Sequence, residues 1–243
     1  MANQTVKIQN TGSTKFIAHR GLSGFYTENS AAAFKAAAGR NYFGIETDVR
    51  LTADGEFVTL HDGTTRRVGD RNLTVSDSTL EQLSKVRLEP VSGAEDEASI
   101  PRLRDYIEIC KRSGKTAVIE LKDRFKHRDI RNLCLQLEQL GYIERCIFIS
   151  FEFENLFLVR LHYPKQPVQY LVKKVNFGLL LRLKLHRMNL DIKYSAVNRE
   201  LVEKCHSLGI LVNCWTVDRP SAAKKLIKMG VDYITTNILE PES

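Results

Sequence analysis

The feature that most constrains this chain is a steady alternation of short β-rich runs with longer helix-like stretches. Eight runs have strand character: "KFIAH", "FGIETDVRLT", "TAVIEL", "CIFISF", "VQYLV", "LDIKYSAV", "ILVNCWTV" and "DYITT". Seven helix-like stretches lie between them, among them "ENSAAAFKAAAGR", "RDIRNLCLQLEQLG" and "NRELVEKCHSLG". Several end on a glycine just before the next strand (Gly39, Gly114, Gly141, Gly209, Gly230), where a residue in the left-handed conformation closes a helix. Strands separated by helices form parallel sheets, because a parallel pair needs a long crossover. Eight is the number that closes a (β/α)8 TIM barrel, and 243 residues is an ordinary length for one. An open doubly wound sheet is the competing architecture, and the chain lacks the Gly-rich first turn of that fold.

One run breaks the alternation. "EFVTLHD" follows "GIETDVRLT" across "ADG", and Asp54-Gly55 is a strong hairpin signal. Folding the two runs back around residue 54 places His61 across from Thr47, beside Glu46 and Asp48. A slip of one residue would turn His61 to the other face. Residues 63–98 read as an irregular excursion before the third strand, with a short helix around "STLEQLSKV"; loops of this length are usually lids or binding elements. No Gly/Ser- or Pro-rich linker divides the chain, so residues 1–243 are expected to form one domain.

A hydrophobic fraction of 43% and a charged fraction of 27% are those of a globular protein. The formal charge of +7 suits anionic partners. The basic residues are scattered without interleaved aromatics, so nucleic acid is not expected as a partner. The N-terminus has no apolar signal-peptide core, and no apolar run is long enough to span a bilayer. The five cysteines form no CxxC pair and are odd in number, which fits small core residues in a reducing cytoplasm. The stretch "NFGLLLRLKLHRMNL" mixes leucines with Arg182, Lys184 and Arg187; it reads as a helix packed on the barrel or as a peripheral membrane contact. Oligomeric state has no signature here.

The polar residues at the strand ends carry the chemistry. Glu46 and Asp48 are two apart on a strand and project from one face. Glu120 and Lys122 repeat that spacing at the end of the third strand. His19 and Arg20 end the first strand, and Trp215 ends the seventh. In a barrel these positions converge on the C-terminal rim, where active sites of the fold lie. Three carboxylates meeting there would repel one another unless a cation relieved them. Oxygen-only ligation favours a hard divalent ion, Mg²⁺ or Ca²⁺, over zinc. Each motif alone has a structural explanation: Asn29 or Ser30 caps a helix, "HD" is a strand end and turn, and Trp215 is core. Their assembly on one rim is what points to a site.

The stretches "AHRG", "ENSAAAF", "GIETDVRLTADGEFVTLHD", "SIPRLRDYI", "VIELK", "FISF", "CWTVD" and "GVDYITTN" occur in the order found in the glycerophosphodiester phosphodiesterase family, which the chain resembles over nearly its whole length. The resemblance implies a (β/α)8 barrel and metal-dependent hydrolysis of a small glycerophosphodiester to sn-glycerol 3-phosphate and an alcohol. By motif it makes His19 and His61 the general acid and base, Glu46, Asp48 and Glu120 the metal ligands, and Arg20 and Lys122 phosphate contacts; Trp215, in "CWTVD", is expected at the substrate. The attacking oxygen is either the glycerol 2-hydroxyl or water. Three departures stand out: Thr27 where the family has proline before "EN", "GTTRRVGD" after "HD", and "ITTNILEPE" where an aspartate and a nearby proline are usual. They are expected to touch substrate choice more than chemistry. The alternatives are a phospholipase C- or D-like enzyme acting on (lyso)phospholipid and a non-catalytic phosphodiester-binding barrel.

Overall fold

The computed structural model describes residues 4–91 and 98–242. Part of the excursion expected over 63–98, residues 92–97, lies outside the described residues. Eight parallel strands form a closed cylinder: β2 (Lys15–Ala18), β3 (Gly44–Leu51), β7 (Thr116–Leu121), β8 (Cys146–Ser150), β9 (Val168–Val172), β10 (Asn189–Lys193), β11 (Val212–Trp215) and β12 (Tyr233–Thr236). The pairing of β2 with both β12 and β3 closes the ring. All eight strands coincide with the runs recognised in sequence.

The outer layer is α1 (Ala31–Ala38), α3 (Leu103–Ser113), α4 (His127–Gln139), α5 (Phe153–His162), α6 (Phe177–Leu185), α7 (Arg199–Ser207) and α8 (Pro220–Met229). A two-stranded ribbon takes the place of an eighth helix. Its strands, β1 (Val6–Ile8) and β13 (Leu239–Pro241), pair in parallel. β1 packs on α8 and β13 on β2, and Glu240 accepts from the Asn41 N–H at 3.0 Å beyond the end of α1. The sequence reading missed this ribbon because three-residue strands carry no usable periodicity.

Between β3 and β7 the chain makes the expected hairpin and excursion. β4 (Phe57–Thr59) pairs antiparallel with β3, Val49 opposite Thr59, and the Leu60 N–H donates to Asp48 O at 3.0 Å. Continued by one residue, that register sets His61 opposite Thr47, as the turn at Asp54-Gly55 predicts. The excursion holds α2 (Leu80–Ser84), capped reciprocally by Thr79 and Gln82, and a short hairpin of β5 (Arg87–Leu88) and β6 (Ala98–Ser99). It has its own small core, in which Val58 and Leu60 meet Val75, Leu83 and Ile100.

Strand alternation decides what points into the cylinder. Phe16, Ala18, Ile45, Val49, Ala117, Ile119, Leu190, Ile192, Val212 and Cys214 belong to the large core shared with the helices. Ile17, Val118, Ile149, Leu171 and Tyr233 form a separate inner cluster. The same period of two carries Glu46, Asp48, Glu120, Asp191, Asn213 and Thr235 inward, where all are buried. None of the helices among the described residues is long and apolar enough to cross a membrane.

Gly21 shows how tightly the first strand is joined to the rest. It has φ +76, its N–H donates to Glu46 O at 3.2 Å, and an added Cβ would lie 2.6 Å from the Ala33 carbonyl carbon. Gly114, the αL residue closing α3, has φ +66 but open space around it. We expect Gly114→Ala to cost about 1 kcal/mol, the left-handed penalty alone. Gly21→Ala should exceed it by at least about 1 kcal/mol through backbone overlap. Urea midpoints at unchanged slope measure the difference.

Candidate active site

The cylinder's C-terminal end opens into a cavity of about 100 Å³ lined by His19, Arg20, Glu46, His61, Glu120, Lys122, Trp215 and Asp191, among others. The three expected carboxylates meet beneath it. Asp48 and Glu120 are register partners across β3 and β7. One oxygen from each of Glu46, Asp48 and Glu120 lies within 4.8 Å of the others, and all three residues are buried. Among the described residues Glu46 Oε1 and Asp48 Oδ1 have no hydrogen-bond donor. Oxygen-only donors with uncommitted buried lone pairs fit a hard divalent cation.

Two side-chain cations accompany the triad. Arg20 Nε lies 3.1 Å from Asp48 Oδ2, and the Arg20 backbone N–H donates to Glu46 Oε2 at 2.7 Å. Lys122 Nζ is 2.8 Å from Glu120 Oε1 and 3.4 Å from Asp48 Oδ1. Burial raises the Asp48 pKa, but Arg20 and Lys122 overcome it and bring the group down to about 2. Burial and the charge of Asp48 push Glu120 up to about 7. Burial and the charges of Asp48 and Glu120 hold Glu46 well above the usual carboxylate range. The cluster is therefore short of positive charge.

Asn29 completes the floor. Its Nδ2 donates to Asp48 Oδ2 at 2.8 Å, and its Oδ1 accepts from Thr47 Oγ1 at 2.7 Å and the Asp48 N–H at 3.1 Å. Of the two caps considered from sequence, Ser30 caps α1; Asn29, at φ +56, is turned back to the carboxylate.

The two histidines have unlike supports. His19 Nδ1 lies 2.8 Å from Asn237 Oδ1. Asn237 Nδ2 donates to Asp218 Oδ2 at 2.6 Å, and Ser23 Oγ also donates to Asn237 Oδ1 at 2.8 Å. Asp218 accepts only, so the amide is oriented with its oxygen toward the imidazole; His19 carries its proton on Nδ1 and keeps a lone pair on Nε2. Burial, with Arg20 next, lowers its pKa to about 4. His61 Nδ1 lies 2.6 Å from Asp62 Oδ1. Burial lowers its pKa too, against the opposing charge of Asp48 and the hydrogen bond to Asp62.

Arg67, in the excursion, ties these groups together. Its Nε donates to Asp62 Oδ2 at 2.6 Å, and its two terminal nitrogens donate to the two oxygens of Glu28 at 2.7 and 3.0 Å. Glu28 in turn accepts from Arg20 Nη1 at 2.9 Å. Thr27 adds a second link through its hydroxyl to Glu89 O at 2.8 Å.

Comparison with known proteins agrees with this geometry. The model of the glycerophosphoryl diester phosphodiesterase family matches residues 19–240. The chain belongs to that family. It is 32% identical over 243 residues to a glycerophosphodiester phosphodiesterase of Caldanaerobacter subterraneus subsp. tengcongensis, covering 95% of this chain and 96% of the relative. A Bacillus altitudinis glycerophosphodiester phosphodiesterase is 30% identical, with coverage of 92% and 94%. The structure of an Oleispira antarctica phosphodiesterase in complex with the product sn-glycerol-3-phosphate superposes with a TM-score of 0.86 at 26% identity, over 92% of this chain and 93% of that one. The protein is an enzyme of the phosphodiesterase family.

The structure brings all eight residues singled out in sequence to this phosphodiesterase mouth. The departure at "ITTN" adjoins an expected site residue, since Asn237 is the residue that holds His19. Sequence reading also missed Glu28, Asp62, Arg67, Asp218 and Asp191. Asp191 had a legible signal, a lone acid between apolar neighbours in a central strand; Arg67 had none, since its partners lie 39 and 5 residues away.

The raised Glu120 has a consequence for stability. Its folded pKa exceeds its unfolded one, so the folded metal-free protein retains a proton that the unfolded chain releases, and the group's contribution falls as pH rises from about 4.5 to about 7. In chelator-treated protein, Glu120→Gln should therefore gain stability relative to wild type across that interval, by at least about 1 kcal/mol. Urea titrations at several pH values check this; a difference independent of pH would show that Glu120 titrates normally.

Proposed function

We propose that the enzyme hydrolyses glycerophosphodiesters to sn-glycerol 3-phosphate and an alcohol, with a divalent cation, Mg²⁺ or Ca²⁺, held by Glu46, Asp48 and Glu120. The observation that carries the reading is the meeting of two differently supported imidazoles with a charge-deficient carboxylate triad in one cavity. Three carboxylates against Arg20 and Lys122 leave one net negative charge. A divalent ion turns that into one positive charge, which a phosphodiester monoanion neutralises. Such a cation supplies electrostatic stabilisation of the phosphoryl oxygens.

The histidine environments assign the proton transfers. His19, beside the Arg20 cation and a neutral amide, stays unprotonated near neutral pH, and its Nε2 lone pair suits it to be the general base that takes the proton of the attacking oxygen. That proton is water's directly, or that of the glycerol 2-hydroxyl followed by water opening the cyclic phosphate. His61 is less buried than His19, and Asp48 and the hydrogen bond to Asp62 oppose the lowering of its pKa by burial. Of the two rings it is therefore the readier proton carrier and serves as the general acid that protonates the departing alcohol. Arg20 and Lys122 contact the phosphoryl oxygens. Trp215, whose Nε1 is buried without a partner among the described residues, contributes a donor and an apolar face to the substrate. Residues 1–243 act as one catalytic domain in which the excursion, through Arg67, holds Asp62 and Glu28 in place. The five cysteines are free and buried, in keeping with a reducing cytoplasm.

Release of glycerol 3-phosphate from glycerophosphocholine by metal-loaded protein tests the reading. His19→Ala and His61→Ala should each lower turnover at least about 10²-fold. A glycerophosphodiester with an acidic phenol as leaving group should recover His61→Ala but not His19→Ala, because that leaving group needs no proton. Recovery of both, or of His19→Ala alone, would reverse the assignment. Glu46→Gln should weaken the cation in calorimetric titration, with a loss of at least about tenfold. Asn237→Asp should raise the His19 pKa and carry the acid limb of kcat/KM to higher pH.

A further inference from the structure

The chain's surplus positive charge is not spread evenly, as its sequence suggests at first reading. Residues 155–190 contain seven Lys and Arg and no Asp or Glu, while elsewhere 29 basic residues balance 29 acidic ones. The whole formal excess of +7 thus belongs to the segment that builds most of α5, β9 and α6. The same segment carries half of the ten large exposed hydrophobic side chains among the described residues: Phe157, Leu161, Phe177, Leu181 and Leu185.

The two features share one flank. Phe177, Leu181 and Leu185 recur every fourth residue along the outer face of α6, while Leu180 and Leu183 bury the opposite face against the barrel. Leu185 is 78% exposed. α5 and α6 are continuous here: the rings of Phe153 and Phe157 lie 5.1 and 5.9 Å from that of His186. Lys173 and Lys174 are exposed at the upper end of the ridge, and Lys184 and Arg187 at its foot, about 13 Å further along the helix. The exposed carboxylates nearest in sequence, Glu152, Glu154 and Glu200, sit at the starts of α5 and α7.

We propose that this flank docks on an anionic phospholipid bilayer, with the leucine and phenylalanine ridge entering the interface and the surrounding Lys and Arg meeting acidic headgroups. A contiguous apolar ridge exposed to water marks an interaction surface, and an apolar face bordered by Lys and Arg is the pattern of a helix lying in a membrane interface. A second copy of the chain fits less well, because a two-fold contact would set this acid-free basic surface against itself. A nucleic acid fits less well too: along α6 the most exposed apolar side chain is Leu185 and the aromatic Phe177 stands alone among leucines, so successive bases find no series of rings on which to stack. The ridge begins at the catalytic mouth. Phe151 and Leu171, at the ends of β8 and β9, line the cavity, and Lys173 to Phe177 continue from β9 into α6. Docking would hold the open end of the barrel beside the lipid surface, and it does not depend on the catalytic reading above.

Co-sedimentation of the intact protein with phosphatidylglycerol-containing vesicles, and with phosphatidylcholine vesicles alone, tests this. We expect binding to the anionic vesicles at low ionic strength, weakening as salt is raised, and little binding to phosphatidylcholine. Lys173→Glu/Lys174→Glu should lower partitioning at least about tenfold. Leu181→Ser/Leu185→Ser should lower it at least about tenfold as well, with the circular dichroism spectrum and the hydrolysis of glycerophosphocholine in solution unchanged. The lysine pair, exposed and away from the core, stands as the test if the leucine pair fails to fold. Absence of binding to anionic vesicles at low salt, equal binding to both vesicle types, or unchanged binding of the folded variants would overturn the proposal. So would a concentration-dependent dimer in light scattering that the variants abolish without altering vesicle binding; that result would assign the flank to a second copy.

Discussion

Three carboxylates share one buried space at the open end of the barrel, and much of the structure is arranged around that electrostatic load. Repulsion and lost hydration oppose ionisation of Glu46 and Glu120, while Asp48 stays ionised because Arg20 and Lys122 lie against it. Arg20 is placed by a left-handed turn that only the following glycine's missing Cβ makes room for. Asn29 leaves helix capping to its neighbour in order to donate to Asp48. Lys122 sits two residues beyond Glu120 on the same strand and bridges two of the three acids. An interior of this kind is tolerable when charges are paired and hydrogen bonds are satisfied, and a cation would complete the set.

Around this centre the protein uses two different devices to hold an imidazole. Asn237 fixes the orientation and tautomer of His19 without adding charge, and Asp218 fixes Asn237. Asp62 holds His61 through a carboxylate, and Arg67 holds Asp62. Burial lowers the pKa of both rings, and in each the hydrogen bond to its support, Asn237 for His19 and Asp62 for His61, works against that shift. The excursion between β4 and β7 thereby does more than decorate the barrel, since a single guanidinium from it reaches both the His61 support and the Glu28–Arg20 pair.

How much of this is legible in the chain differs by element. The eight barrel strands could be read because they are short β-rich runs alternating with helix-like stretches, several of which end on a glycine. The hairpin register could be read because Asp54-Gly55 fixes the turn, and the turn fixes which residue faces Thr47. Glu46, Asp48, Glu120, Lys122, His19, Arg20, His61 and Trp215 could be read because strand ends in a closed barrel share one rim. The β1–β13 ribbon was invisible, its strands being three residues each and their pairing spanning the chain. Thr27 and Asn237 read in sequence only as departures bearing on substrate choice; their partners, Glu89 and His19, are known only from the fold.

The amino-acid order by itself determined that the polar strand-end side chains gather at one mouth, because strand periodicity and barrel closure are local rules repeated eight times. What each side chain does there was decided by contacts between distant segments. His19 meets Asn237 across 218 residues, Arg67 meets Glu28 across 39, and Asn29 meets Asp48 across 19. Protonation state, tautomer and charge balance depend on distance and burial, which exist only once the chain has closed on itself.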